Sequence, residues 1–276
     1  MNRQKFSAIL LRILVYFATI VTVGALLFVV GYILYKGVPN LSWKLFEWKY
    51  TTENLSLMPA LLNTILMTAL SLLIAVPLGV FAAIYLVEYA KRGSKLVRVI
   101  RMNAETLAGI PSIVYGLFGM LFFVTALKLG FSMLSGALTI SIMILPVILR
   151  TSEEALMSVP DSYREGSFGL GAGRLRTVFR VVLPDAIPGI LAGVILGVGR
   201  TVGETAALLY TAGTSSDTVS GIMDSARTLS VHMYALSQEG LYINQTYATA
   251  VVLLIIVVGI NALSAALAKR MTKRKI

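Results

Sequence analysis

Residues 187–211, IPGILAGVILGVGRTVGETAALLYT, decide how many times this chain crosses a membrane. The stretch has the roughly 20 mostly apolar residues that a helix needs to cross a hydrocarbon core about 30 Å thick. It also carries Arg200 and Glu204, which make it the weakest candidate by hydropathy. Five further apolar segments lie near 9–35, 58–87, 106–127, 131–149 and 248–268. Counting 187–211 gives an even number of spans and places both termini on one side. Segments 1–12, 91–101, 150–180 and 269–275 then hold 18 of the 24 Lys and Arg residues on that same side. By the positive-inside rule this side is the cytoplasm. Without the fifth span the basic segments would be scrambled between the two faces.

The composition points the same way. Of 276 residues, 57% are hydrophobic and 13% charged, and the mean hydropathy is +0.82. A soluble domain of this size needs a larger charged fraction. The net charge of +11 is dispersed between apolar runs and not gathered on one soluble module, so no nucleic-acid partner is expected. With no cysteine and a single histidine, His232, neither disulfides nor a multi-ligand metal site is expected. The first apolar run follows Arg3, Lys5 and Arg12 but is longer than a signal peptide's core, so it reads as a retained anchor.

The predicted fold class is an all-α integral membrane protein with six transmembrane helices. Its third and fourth spans form a tight hairpin through Leu127–Gly130. Pro77, Gly109, Pro111, Pro146 and several glycines interrupt the spans, as membrane helices tolerate. Gly189, Gly193 and Gly197, spaced by four, offer a neighbouring helix a close approach or the chain a hinge.

The cytoplasmic stretch 150–185 is more organised than a linker. Ser158 or its neighbour caps a helix entered through Pro160, with Asp161 in the first turn, running to about Phe168. Gly169, Gly171 and Gly173 interrupt it, and a second helix from Arg174 is expected to stop near Pro184. The glycines imitate a phosphate loop, but no strand precedes them and no Gly-Lys-Ser/Thr follows. The chain therefore has no P-loop, and neither catalytic residues nor a bound cofactor is expected.

Tyr163-Arg164-Glu165-Gly166-Ser167, continuing to Gly171 and to Val181, Leu183 and Pro184, resembles the cytoplasmic EAA loop of ABC importer permeases. In that family a Glu-Ala-Ala is followed after three residues by glycine, and after nine more by Ile-x-Leu-Pro. Glu165, Gly171 and Leu183-Pro184 match; Gly166, Ser167 and Val181 depart by small-for-small and aliphatic exchanges. The resemblance implies a type I importer permease core over 58–268. It makes 150–185 the loop that docks on a cytoplasmic ATPase dimer, with Tyr163, Arg164, Glu165, Gly171, Leu183 and Pro184 as coupling residues. ATP and Mg2+ would be used by those partner subunits. Residues 1–57 then form an added anchor and outer segment, and 269–276 a basic cytoplasmic tail.

Arg200 and Glu204, four apart, are expected on one helix face. Either they are a structural pair, or Arg200 faces a route and attracts an anion, its planar guanidinium donating paired bonds to a tetrahedral oxyanion. Asn63, Thr64, Ser112 and Tyr115 are further pathway candidates, with helix contact as the alternative for each. The stretches from Gly199 to Leu209 and from Leu107 to Gly116 resemble phosphate-importer permeases. That likeness implies half of an inorganic phosphate pathway in a bacterial inner membrane. The expected partners are a second, related permease, favouring a heterodimer, and a periplasmic phosphate-binding protein. A permease for another oxyanion such as molybdate or sulfate, and a self-contained channel, are the alternatives. Outside, Trp43, Phe46 and Trp48 suggest an interfacial aromatic cluster, and a short helix is expected near Asp224–Ser237.

Overall fold

A computed structural model describes residues 2–91 and 93–273. The last three residues of the basic tail and the side chains of Arg3 and Lys5 lie outside the described residues. The helices are α1 Asn2–Gly37, α2 Met58–Ile84, α3 Lys95–Ala108, α4 Ser112–Gly119, α5 Met133–Met157 and α6 Asp161–Gly169. They continue with α7 Arg174–Thr177, α8 Leu183–Gly203, α9 Ala206–Leu209, α10 Leu229–Glu239 and α11 Ile243–Lys273. Five stretches are long and apolar enough to cross a membrane, at Ala8–Asn40, Met58–Tyr89, Met133–Met157, Arg174–Gly203 and Ile243–Leu263. A sixth is the bent pair Lys95–Ala108 and Ser112–Ala126, which starts earlier than the expected third span near 106–127 and breaks at the Gly109 and Pro111 that interrupt it. The two helices meet at 101°, because Gly109 and Pro111 end α3 and Pro111 precedes a new helix start.

The body is a bundle of α2, α5, α8 and α11, with α5 at its centre. Met67, Ala75, Ile140, Ile144, Ile148 and Leu208 form its middle. Ala83, Ile84, Leu149, Leu156, Val178 and Val182 form a second cluster at one end, and Leu45, Leu57, Ala60, Leu229 and Ala248 a third at the other. The small residues of α8 meet α5: a methyl group added at Gly189 would overlap Ala155, and one at Gly193 would overlap Thr151. Helix α1 stands off the bundle and packs only near its end, where Gly37 lies against the backbone of Tyr247. The hairpin between α4 and α5 turns through Lys128 and Gly130, both at positive φ, and Ser132 caps α5 by accepting from the Ser135 amide.

Two expectations for the cytoplasmic segment are corrected. Ser158 does not cap α6; it ends α5 and its hydroxyl donates to the Ala155 carbonyl, while Pro160 holds the α6 N-cap position. The second helix does not stop near Pro184, because a π-turn over Val178–Val182 carries α7 directly into α8. Pro184 falls in the first turn of α8, where its missing N–H is tolerated.

Candidate translocation and coupling sites

The fifth span ends at Gly203 and not near Thr211, and this changes the reading of its two charges. Glu204 follows the helix in extended conformation, with φ −72° and ψ 126°. A face shared by Arg200 and Glu204 therefore does not exist, and no ion pair joins them. The Glu204 carboxylate instead accepts from the Ala207 amide at 3.0 Å, heading the short α9. Its carbonyl accepts from the Ser230 hydroxyl at 2.6 Å, which pins the break to α10. Glu204 is thus a buried structural acceptor.

Arg200 remains in the last turn of α8, where unpaired carbonyls favour a cation. It is half-buried and makes no ion pair or hydrogen bond to any described residue. Its charge lies within Coulombic range of the Tyr115 phenol on α4. The Tyr115 hydroxyl donates to the Leu107 carbonyl at 2.7 Å, bracing the bend between α3 and α4. Gly116, one residue on, packs against the backbone of Ala206 and Ala207, so α4 and α9 touch where a larger residue would not fit. The bend of the third span and the break of the fifth therefore meet beside Arg200. Ser112 is half-buried at the start of α4.

Asn63 and Thr64 both bond the outer segment, and Thr64 also lines a cavity between α2, α8 and α11. Asn63 is fully buried; its amide nitrogen donates to the carbonyls of Asp217 and Arg227, and its oxygen accepts from the Val219 amide. The Thr64 hydroxyl accepts from the Leu229 amide at 2.8 Å and donates to the Ala60 carbonyl. Both anchor the outer segment to α2, because the loop's backbone groups need partners once buried.

At the cytoplasmic end, α6 shows an apolar surface. Tyr163, Phe168, Leu170 and Leu175 are exposed, Leu170 at 91%, and Glu165 is exposed among them. Gly171 turns the chain at φ +81°, a conformation that disfavours side chains. Arg164 points the opposite way. Its guanidinium reaches Glu88 on the π-turn that ends α2 at 2.7 and 3.1 Å, the carbonyls of Leu156 and Val159 at 2.9 and 2.7 Å, and Asp161 at 3.2 Å. It is buried to 14% exposure and is not available as a surface contact. Leu183 packs into the cytoplasmic cluster, and exposed Pro184 marks the α8 start. Glu88, Phe168 and Leu170 were missed in sequence reading. Phe168 in a polar nine-residue helix and Leu170 just past its end are the available signal; Glu88 gives none, lying 76 positions from its partner.

Outside, Trp43 and Trp48 are 91% and 72% exposed, while Phe46 packs on the outer cluster and lines a groove with Trp43. His232 on α10 is buried. Its Nε2 has no hydrogen-bond partner, Tyr50 stands edge-on at 5.9 Å, and Arg227 lies over the Tyr50 ring. Burial, with the Arg227 charge, pushes the imidazole down to about 4. Among the described residues no group of carboxylates and histidines is arranged to hold a metal.

An all-α bundle with a broken fifth span and an exposed cytoplasmic loop helix fits a multi-pass membrane permease subunit. The model for binding-protein-dependent transport system inner membrane components matches residues 75–275, and the chain belongs to that family. It is 33% identical over 226 residues, 76% of each chain, to the probable ABC transporter permease protein YqgI of Bacillus subtilis. It is 36% identical over 220 residues, 78% of this chain and 70% of the relative, to the phosphate transport system permease protein PstA 1 of Mycobacterium tuberculosis. Among solved structures, a chain of a bacterial alginate ABC transporter aligns with TM-score 0.64 over 94% of this chain and 95% of its own, at 16% identity. A chain of the MetNI methionine ABC transporter aligns with TM-score 0.57 over 78% and 94%, at 20% identity, which speaks for the fold alone. As a permease subunit the chain is not itself catalytic; ATP is hydrolysed on separate ATPase partners.

Proposed function

We propose that this chain forms half of the pathway of an inorganic phosphate importer, beside a second, related permease. An ATPase dimer using ATP and Mg2+ docks below, and a periplasmic phosphate-binding protein delivers substrate above. The observation that carries the substrate class is Arg200, a half-buried cation without a counter-charge among the described residues, at the end of a membrane-spanning helix. A charge left there costs free energy that an arriving anion offsets, and a guanidinium offers a tetrahedral oxyanion paired donors. The site is a single cation beside a helix break, so it holds its anion weakly, as passage requires. Relatives named for phosphate transport support phosphate within the oxyanions.

The docking surface in this reading is the exposed set Tyr163, Glu165, Phe168 and Leu170 around the Gly171 turn. The remaining coupling residues hold that surface in place: Arg164 by its buried bonds, Leu183 and Pro184 by leading into α8. The test is uptake of radiolabelled phosphate by the complete complex in proteoliposomes, with arsenate, molybdate and sulfate as competitors. Phosphate uptake that arsenate suppresses and sulfate and molybdate leave unchanged is the expected result. Stronger competition by sulfate or molybdate reassigns the substrate, and absence of ATP-dependent oxyanion uptake rejects the proposal.

A further inference from the structure

The loop containing α6 and α7 is joined covalently to α5 and α8, but α2 meets it only through side chains. At that meeting the Arg164 guanidinium binds the Glu88 carboxylate of α2 and the Leu156 carbonyl of α5 at once. A second arginine, Arg174, lies 5.4 Å over the Tyr89 ring in the same π-turn. Such turns relax the helical register and are often functional. The cytoplasmic ends of α2 and α5 are thus tied together by the residue that precedes Glu165.

The outer ends of the same two helices are tied as well. Asn63 of α2 holds Asp217, Val219 and Arg227, and Thr64 holds Leu229. The first amides of α5 hold the same segment: Met133 donates to the Asp224 carbonyl and Leu134 to the Ile222 carbonyl, both at 2.8 Å. Residues 217–229 are therefore strung between α2 and α5. Between the two ties the helices pack closely, with Gly79 against Ile148 and the Ser141 hydroxyl donating to the Ser71 carbonyl at 3.0 Å. From Asn63 to Glu88 the helix covers about 38 Å at 1.5 Å per residue.

We propose that α2 carries movement of the docking loop to the outer segment, with Glu88–Arg164 as the lower clamp and Asn63 as the upper one. The proposal rests on the docking role assigned above to α6. Displacing α6 moves Arg164, and Arg164 changes the position of α2 against α5. The outer segment, bonded to both, registers that change at residues 217–229. Glu88, Arg164 and Asn63 are positioning residues and touch no substrate.

The chain has no cysteine, so Thr218→Cys in the exposed part of the outer segment is its sole thiol, and its labelling is read on the separated band of this subunit. In the complete reconstituted complex, its labelling rate with a membrane-impermeant maleimide is compared without nucleotide and after trapping with ATP and vanadate. A several-fold difference is expected, and Glu88→Gln is expected to abolish it while the ATPase subunits still copurify. A retained difference in Glu88→Gln, or no difference in the parent complex, overturns the proposal. Loss of copurification overturns it too, since the pair would then serve docking itself. Should Glu88→Gln not accumulate, Asn63→Leu is measured at the opposite clamp; it is expected to abolish the difference, and a retained difference overturns the proposal. Copurification and phosphate uptake by the parent complex report separately on the docking and substrate readings.

Discussion

The two ends of the bundle treat charge in opposite ways. At the cytoplasmic end three arginines are matched: Arg164 with Glu88, Arg101 with Glu153, whose Oε1 accepts from its Nε at 2.6 Å, and Arg150 with Glu154 at 3.0 Å. Towards the outer end Arg200 has no counter-charge among the described residues, Glu204 is an acceptor for backbone, and His232 is kept neutral by burial. Matched buried charges fix geometry, because removing either partner strands the other. An unmatched cation in a span is costly, and in the function proposed above a passing anion offsets that cost. Mechanical coupling calls for the first arrangement and passage for the second.

The strongest way to break the contrast is Arg164→Met. It strands Glu88 in a buried site and leaves two carbonyls without their donor, so a loss of about 3–5 kcal/mol of stability is expected, read as a lowered Tm of the purified subunit. A loss no greater than that of an exposed substitution would show that the pair does not fix α6.

Acidification tests the neutral group at the outer end. The folded value of His232, about 4, lies below the ordinary 6.5, so the unfolded chain binds more protons between these limits. Its contribution is fully present above pH 6.5 and is lost as the pH falls towards 4, by up to about 3 kcal/mol. Thermal unfolding across that range should be flatter in His232→Gln than in the parent; parallel profiles would dismiss the role.

Arg200→Ala should slow phosphate uptake ~10- to ~150-fold, which corresponds to about 1.5–3 kcal/mol for hydrogen bonds to a charged group. Assembly with the ATPase should be unchanged, and Arg200→Lys should recover part of the rate. Uptake at the parent rate would remove Arg200 from the pathway. The smallest effect belongs to Glu204→Ala, about 1 kcal/mol for loss of a helix-heading acceptor. Its uptake should fall far less than that of Arg200→Ala; equal losses would restore a joint role for the two residues.

Much of the fold is legible in single segments. The spans of α1, α2, α5 and α11 follow from runs of apolar residues, the α4–α5 turn from Leu127–Gly130, and α6 from Pro160-Asp161 with Gly171 beyond it. The spacing of Gly189 and Gly193 foretells a close neighbour, and α5 is that neighbour. The misreadings come from contacts distant in the chain. Nothing around Asn63 in the sequence foretells that residues 217–229 fold back and bond it. Arg164 looks like a surface contact until Glu88 arrives beneath it. The four-residue spacing of Arg200 and Glu204 implies a pair only while the helix continues, and it ends at Gly203.

Sequence alone determined that this chain lives in a membrane, where its apolar spans lie, and which cytoplasmic stretch folds into short helices. Those properties depend on hydropathy, charge bias and turn chemistry within contiguous stretches, which no distant residue can reverse. Only tertiary structure decided where residues 187–211 stop being helix. Gly203 permits either continuation or a break; the Ser230 bond to the Glu204 carbonyl and the fit of Ala206 and Ala207 against Gly116 stabilise the break. That choice separates Glu204 from Arg200, which then has no ion pair among the described residues.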